Sequence, residues 1–197
     1  MFETGEPHTG VELVAALERV QEEGNSYLRS LPPTLFFAPQ GPAWSPAEHA
    51  RHLVKSLRPL VRVLRWPRPV LGLLFGRHRG PGRDFAELRR TYQAALAAGG
   101  QAGRFAPSVQ PPPQDLAAGQ EAILSRLGAT ARAVQAAVQR WPEPTLDRYQ
   151  LPHPLLGRLT VREMLEFSVY HHAHHLRRVA ERSQDGRARG VAPNKHM

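Results

Sequence analysis

Cysteine is absent from this sequence of 197 residues. The absence excludes disulfide bonds, zinc sites built from thiolates and cysteine nucleophiles, so any metal site has to use histidine and carboxylate side chains. A chain without cysteine also suits a reducing compartment, and we expect a cytoplasmic protein.

Long apolar runs and a targeting signal are also missing. The longest apolar stretch, residues 70–75, is far too short to cross a bilayer. Residues 1–6 include two acidic side chains and lack the apolar segment of a signal peptide. We therefore expect a soluble protein with no membrane partner.

Lysine is scarce, because only Lys55 and Lys195 among the 26 basic residues are lysine. The formal charge of +9 would suit a nucleic-acid partner. However, an arginine-rich chain that also contains much alanine, proline and glycine is typical of a GC-rich coding sequence, whatever the function. We therefore do not favour nucleic acid as the partner, and an anionic small molecule stays open.

The apolar pattern of the sequence is helical, and no segment shows sustained period-two alternation. It predicts an all-α fold, namely a four-helix bundle with one additional short helix and long loops. The bundle occupies a single domain, residues 1–182, and we expect residues 183–197 to form a disordered tail. The long helices are predicted at residues 11–31, 46–64, 115–139 and 161–182, and the short one at residues 84–98.

Two capping boxes mark the start of the second and the last long helix. Ser45 and Glu48 form the first, and Thr160 and Glu163 form the second. Glu48 is therefore interpreted as a helix cap rather than a catalytic base. Pro59 lies inside the second long helix and predicts a kink or a break about one turn before it.

Two connections are unusual in composition. Residues 65–83 are predicted to form an irregular, arginine-rich segment around the apolar residues 70–75, and a long proline-rich loop precedes Asp115. Arginines of the first segment could hold an anionic substrate, although a solvated basic loop is the simpler interpretation. His153, in the loop before the last helix, is interpreted as a plain loop histidine.

Six of the ten histidines fall in two of the predicted helices. In the last helix, His171 and His175 are four residues apart, so they lie one turn apart on the same face. The apolar stripe of that helix places both inward, places His174 at the surface and leaves His172 at the boundary. Two imidazoles at this spacing can bind one cation together, but satisfied core histidines or a surface run give the same pattern.

A metal site needs a third ligand from another helix. His52 lies about two turns into the second long helix near its buried face, and His49 is the alternative three residues earlier. The residue pattern alone does not choose between them. Three neutral imidazoles without a fourth protein ligand would leave an open position, which is the arrangement of a catalytic metal site.

Two blocks of the sequence resemble the DinB-like (DinB/YfiT) family. The first, Trp44-Ser45-x-x-Glu48-x-x-x-His52-Leu53, is similar to a family pattern at the start of the second helix. The second covers residues 151–160 and leads into the histidine run at 171–176. The two blocks cover about a quarter of the chain, and their order and separation match the family across most of its length.

The resemblance implies a specific set of metal ligands and a specific helix topology, which the residue pattern alone leaves open. In the family the first and last histidines of the run bind metal, which corresponds to His171 and His175, and the first block assigns the third ligand to His52 rather than His49. It also implies a bundle of up-down-down-up topology, often a homodimer, with a divalent metal such as zinc, nickel or iron.

The resemblance leaves the reaction open. Some members are thiol S-transferases that use bacillithiol or mycothiol, some are isomerases, and others are described as metal-dependent hydrolases. Our leading hypothesis is a metal-dependent enzyme with a small-molecule substrate, such as a low-molecular-weight thiol. The alternatives are a non-catalytic metal-binding bundle that acts as a sensor or a structural element, and a nucleic-acid-associated damage-response protein, which no binding motif supports.

Overall fold

A computed structural model of the protein describes residues 2–190, with side chains described as far as residue 183. Within these residues the chain forms eight α-helices, a 3₁₀ turn and one β-hairpin. The helices are α1 (Gly10–Ser30), α2 (Pro33–Phe37), α3 (Pro46–Leu64), α4 (Arg68–Phe75), α5 (Phe85–Ala97), α6 (Leu116–Val138), α7 (Glu143–Leu146) and α8 (Val161–Gly190). The 3₁₀ turn is Gly103–Phe105, and the hairpin pairs β1 (Gln150–His153) with β2 (Gly157–Thr160) in antiparallel register.

The four long helices α1, α3, α6 and α8 pack together as a bundle. Helices α1 and α6 are antiparallel, because the Gln120 amide near the start of α6 donates to the Leu28 carbonyl near the end of α1. Helices α1 and α8 are parallel, because the Arg162 guanidinium at the start of α8 donates to the His8 carbonyl just before α1.

Helices α3 and α6 are parallel as well. The Trp141 indole N–H, just beyond the end of α6, donates to the carbonyl of Leu64, the last residue of α3. The directions of the four helices are therefore up, down, down and up. The predicted all-α bundle is confirmed.

The apolar stripes predicted from the sequence form the core. Leu13, Leu17, Val20 and Leu28 of α1 are all buried, as their spacing predicts. A smaller apolar cluster fills the space between α5, β2 and α8 and consists of Phe85, Leu88, Tyr92, Leu159, Phe167 and Tyr170. Helix α5 thereby covers a face of α8 that the four-helix bundle leaves uncovered.

Both predicted capping boxes are present. Ser45 Oγ accepts from the Glu48 N–H, and the Glu48 carboxylate accepts from the Ser45 N–H. Thr160 and Glu163 make the same reciprocal pair at the start of α8. The predicted break near Pro59 is wrong, because α3 runs without interruption to Leu64 while its buried leucines hold both halves against the core.

Other differences from the sequence prediction concern short elements. Residues 65–83, predicted to be irregular, contain α4, and the loop before α8 contains α7 and the hairpin. Elements of four to eight residues are too short to show a clear period. Helix α8 extends to Gly190 rather than ending at Arg182, and residues 191–197 of the predicted tail lie outside the described residues.

One negative observation concerns membranes. Among residues 2–190, no helix is both long enough and apolar enough to cross a bilayer.

Candidate metal centre

Three buried histidines meet between α3 and α8, and we call them the histidine triad: His52, His171 and His175. The two helices are antiparallel, so position 52 faces the histidine pair one turn apart on α8. His171 Nε2 lies 3.1 Å from His52 Nε2 and 3.0 Å from His175 Nε2. The three nitrogens thus converge on one point.

These distances suit a shared cation. Two nitrogen ligands at tetrahedral positions around zinc are about 3.3 Å apart, given a Zn–N bond of about 2.05 Å. The observed separations of 3.0 and 3.1 Å are slightly shorter. A small adjustment of the side chains would therefore bring all three nitrogens to ligand distance.

Hydrogen bonds alone cannot satisfy the histidine triad. His52 Nδ1 lies 2.8 Å from the Phe105 carbonyl oxygen, which only accepts, so Nδ1 carries the proton and a neutral His52 offers a lone pair at Nε2. If His171 Nε2 carries a proton and donates it to His52, His175 Nε2 is left either with a proton that has no acceptor or with a lone pair that has no donor of its own. If His171 Nε2 carries none, His52 and His171 direct two lone pairs at each other. In every neutral arrangement at least one of the two close contacts is therefore not a proper hydrogen bond, and a bound cation removes this conflict.

His49 makes a contact outside the triad. Its Nδ1 lies 2.8 Å from His175 Nδ1, so one proton is shared between these nitrogens. When His175 uses Nε2 as a ligand, its Nδ1–H donates to His49. The alternative third ligand of the sequence analysis is therefore placed behind His175, while His52 is placed at the point of convergence.

Burial keeps these histidines neutral. It lowers the pKa of His171 and His175 well below the ordinary value of 6.5, and the neighbouring histidines add to the shift. Burial also lowers the pKa of His52, and that of His49 to about 3. Neutral imidazoles are the form that binds metals, so no proton has to be removed near pH 7.

Two aromatic rings hold the triad in place. Trp44, just before the capping box of α3, packs 4.9 Å from His52 and stacks 5.9 Å from His175, measured between ring centroids. Phe167, one turn before His171 on α8, stacks 4.9 Å from it. The local sequence around each capping box thus also supplies the packing that orients the imidazoles.

A cavity of about 540 Å³ lies beside the triad, and all three histidines line it. Most of its wall is apolar and comes from α3, α8, β1 and the segment around the 3₁₀ turn. Its apolar lining includes Leu57, Leu60, Val63, Phe75, Leu96, Phe105, Leu151, Leu155, Met164 and Phe167. Together with the triad, the cavity has the form of a small-molecule site, with an apolar pocket and a few polar groups at one place.

Comparison with known protein families gives a match over residues 16–179, to the DinB superfamily. The chain belongs to the DinB superfamily. No curated protein and no solved structure matches it. The matched residues of this DinB superfamily protein include the whole triad, and the family resemblance found in the sequence is confirmed.

Two histidines of the α8 run differ from their predicted environments. His174 was predicted at the surface, yet in this DinB superfamily protein it is half-buried and lines the cavity, because Tyr92 of α5 packs against it with 6.1 Å between ring centroids. Burial lowers the pKa of His174 to about 4. His172 is fully buried on the other side of α8 and pairs with the Gln21 amide oxygen at 3.1 Å.

Several cavity residues were not found from the sequence. His153, taken for a plain loop histidine, lines the cavity, and its Nδ1 accepts from the Leu156 N–H, so its proton is on Nε2. Tyr92 and the Phe105 carbonyl were missed too, since neither a lone tyrosine nor a backbone carbonyl leaves a pattern in the sequence. Of the predicted arginine-rich segment 65–83, only Phe75 lines the cavity.

Proposed function

We propose that this DinB superfamily protein is a metal-dependent enzyme that binds one divalent metal at His52, His171 and His175 and acts on a small molecule. One observation carries the proposal: the three convergent Nε2 atoms cannot all be satisfied by protons and border a cavity of substrate size. Zinc, nickel and iron all accept imidazole ligands, and we propose one of these as the native metal.

Three protein ligands favour catalysis over a purely structural site. A structural zinc site usually has four protein ligands, whereas a catalytic one keeps a position for substrate or water. Within the described residues, the one group of histidine and carboxylate side chains close enough to share a metal ion is the triad, which supplies three ligands. When bound, the metal would supply Lewis-acid chemistry and lower the pKa of a thiol or water that it ligates.

The surrounding residues orient the ligands. The Phe105 carbonyl fixes the His52 proton on Nδ1, and with metal at the triad His49 would accept from His175 Nδ1–H. Both arrangements leave Nε2 free as the donor atom. Such outer partners set the ring orientation and the basicity of the ligands.

The cavity favours a substrate with an apolar body. None of the described residues that line it carries a carboxylate. Burial lowers the pKa of His153 to about 4, with Arg83 adding to the shift, so this imidazole is neutral near pH 7. Its Nε2–H, like the Tyr92 hydroxyl, can donate to a polar group of the substrate. We propose thiol transfer or hydrolysis as the reaction, with a low-molecular-weight thiol as a possible co-substrate.

Metal analysis tests the site. We expect about one divalent metal per chain in untagged protein, by inductively coupled plasma mass spectrometry, and none in His171→Ala. His8 is exposed and distant from the triad in sequence, so His8→Ala is the matched control and should keep the metal. A wild-type protein that neither contains nor takes up zinc, nickel or iron would overturn the proposal.

Activity and stability separate an enzyme from a non-catalytic bundle. The metal-loaded protein should turn over an apolar electrophile with a thiol, or an apolar ester or amide with water, and His171→Ala should not. If the metal binds but only raises the melting temperature, and no compound of either class reacts, the enzyme proposal fails. The metal would then be a structural element.

A further inference from the structure

Helix α4 exposes an apolar face. Leu73 is 85% exposed, Leu74 54%, Val70 40% and Trp66, just before the helix, 36%. Leu71 of the same helix is completely buried and anchors it to the core. We call the four exposed residues the α4 face. Isolated exposed leucines are ordinary, but four large exposed apolar side chains within residues 66–74 indicate an interaction surface.

The chain around the α4 face is basic. Residues 58–79, from the second half of α3 to just beyond α4, contain six arginines and no acidic residue. Arg62, Arg65 and Arg79 near the ends of the helix are exposed. Two acidic residues of the neighbouring α7 region, Glu143 and Asp147, are paired with Arg162 and do not offset this charge.

We propose that the α4 face docks onto the surface of an anionic lipid bilayer. This revises the expectation of no membrane partner, which rested on the lack of a spanning segment and of a signal peptide and did not consider attachment at the bilayer surface. A helix that lies in a membrane interface buries leucine and tryptophan among the acyl chains, while arginines beside it contact anionic headgroups. Leu73 and Leu74 are exposed over more than half of their surface and do not line the cavity beside the triad. Such a surface fits a fluid bilayer better than the side chains of a protein partner.

A second copy of the chain fits less well. In a twofold contact the α4 face would pack against the same face of the other copy, so two arginine-rich surroundings with no acidic residue between positions 58 and 79 would be brought together. Like charges at close range destabilise such a contact. An anionic bilayer instead offers negative charge to all of the arginines around the α4 face.

The α4 face is connected to the metal centre through Phe75. Its ring stacks on Trp66 with 6.5 Å between centroids, and it also lines the cavity beside the triad. If the protein has the proposed enzymatic function, a substrate that partitions into lipid would reach the cavity over an apolar surface. Docking itself does not depend on that function, because none of its residues belongs to the triad.

Vesicle co-sedimentation tests the inference. We expect the full chain to bind vesicles of phosphatidylcholine with about a third of phosphatidylglycerol at about 0.15 M salt, and not phosphatidylcholine alone. Leu73→Glu should weaken this binding about tenfold, because a large exposed leucine no longer enters the lipid. Val11 is 79% exposed on α1, so Val11→Glu is the control with the same change of charge and should bind like the wild type.

The contribution of the arginines around the α4 face is tested in the same assay. Each of Arg62→Gln and Arg65→Gln should weaken binding about fivefold, whereas Arg132→Gln on α6 should have a smaller effect. His171→Ala should bind vesicles like the wild type, so a failed metal centre and a failed docking surface give different results.

Three results would overturn docking. One is the absence of vesicle binding. Another is an equal loss in Leu73→Glu and Val11→Glu, which would show adsorption by net charge alone. The third is a dimer in analytical ultracentrifugation that Leu73→Glu dissociates, which would assign the α4 face to a second copy.

Discussion

Helix α8 has two faces that differ in how they meet the rest of the bundle. Towards α1 it packs closely, with Leu176 seated against Gly24 and almost completely buried. Towards α3 it presents His171 and His175, which meet His52 next to a cavity. Leu176 and His175 are neighbours in the sequence, yet one belongs to the core and the other to the histidine triad.

The two sides of α8 differ in their contribution to the free energy of folding. The α1 side buries apolar surface at close packing, which is the main source of folding free energy. The α3 side buries imidazoles with an unsatisfied contact, which costs free energy until a ligand binds. We therefore expect substitutions on the α1 side to lower the free energy of unfolding, and substitutions of the triad histidines to leave the stability of the metal-free protein nearly unchanged.

The largest difference in stability is expected between variants of two adjacent residues, Leu176 and His175. Leu176→Ala should lower the free energy of unfolding by about 2 to 5 kcal/mol, because it opens a cavity in the core. His175→Ala should change the stability of the metal-free protein by less than about 1 kcal/mol, since it removes a conflicting nitrogen as well as packing. Urea denaturation after treatment with a chelator measures both. Equal losses in the two variants would contradict the division.

A second prediction concerns charge on α8 away from both faces. Glu166 is buried, with one carboxylate oxygen that has no hydrogen-bond partner among the described residues. Burial raises its pKa from 4.5 to about 7, although Arg162 lowers it. The folded state therefore keeps a proton that the unfolded state loses between these values, so stability from this group is present at low pH and lost as the pH rises through 7.

The test is Glu166→Gln. Relative to the wild type, the variant should gain about 2 to 3 kcal/mol of unfolding free energy between about pH 5 and about pH 8. Glu22 is exposed, so Glu22→Gln is the control and should show no such gain. A pH-independent difference between wild type and Glu166→Gln would disprove the assignment.

The third prediction concerns the contact behind the metal ligands. His49→Phe removes the acceptor for His175 Nδ1–H and should weaken metal affinity about 10- to 100-fold, as for other outer partners of ligands. His49→Asn keeps a polar atom near the Nδ1 position and should recover part of the affinity. Titration with zinc in competition with a chelator measures this. Unchanged affinity in His49→Phe would show that the contact only packs.

The substitution with the smallest predicted effect, Gly24→Ala, tests the close packing of α1 against α8. A Cβ at position 24 would lie 2.9 Å from Leu176 Cδ2 and closer still to Cδ1. Gly24→Ala should therefore destabilise the protein by about 1 to 2 kcal/mol, although alanine favours a helix more than glycine does. In a Leu176→Ala background the same change should be neutral or stabilising, because the clashing atoms are gone. Ser26→Ala, at an exposed position on α1, is the control for helix propensity.

The sequence analysis predicted the bundle well because long helices have a strong period. Capping residues such as Ser45 and Thr160 mark helix starts locally, and both boxes form as predicted. Helix α4 was missed because eight residues between prolines and glycines show too little periodicity. The break predicted near Pro59 does not occur, because the buried face of α3 outweighs the local effect of the proline.

For the site, the spacing of His171 and His175 indicated a shared face, but no spacing could locate the third ligand. The choice of His52 over His49 came from the family resemblance, and it requires that α3 runs antiparallel to α8 at one particular register. His174 was misplaced because the α8 stripe takes no account of Tyr92, which arrives from α5.

The sequence by itself determined the long helices, their caps and the shared face of His171 and His175, because these depend on interactions within a few residues of the chain. Only the tertiary structure decided which nitrogens converge, that the Phe105 carbonyl fixes the His52 tautomer, and that an apolar cavity lies beside the triad. These features join segments more than fifty residues apart, and their geometry follows from how the helices pack.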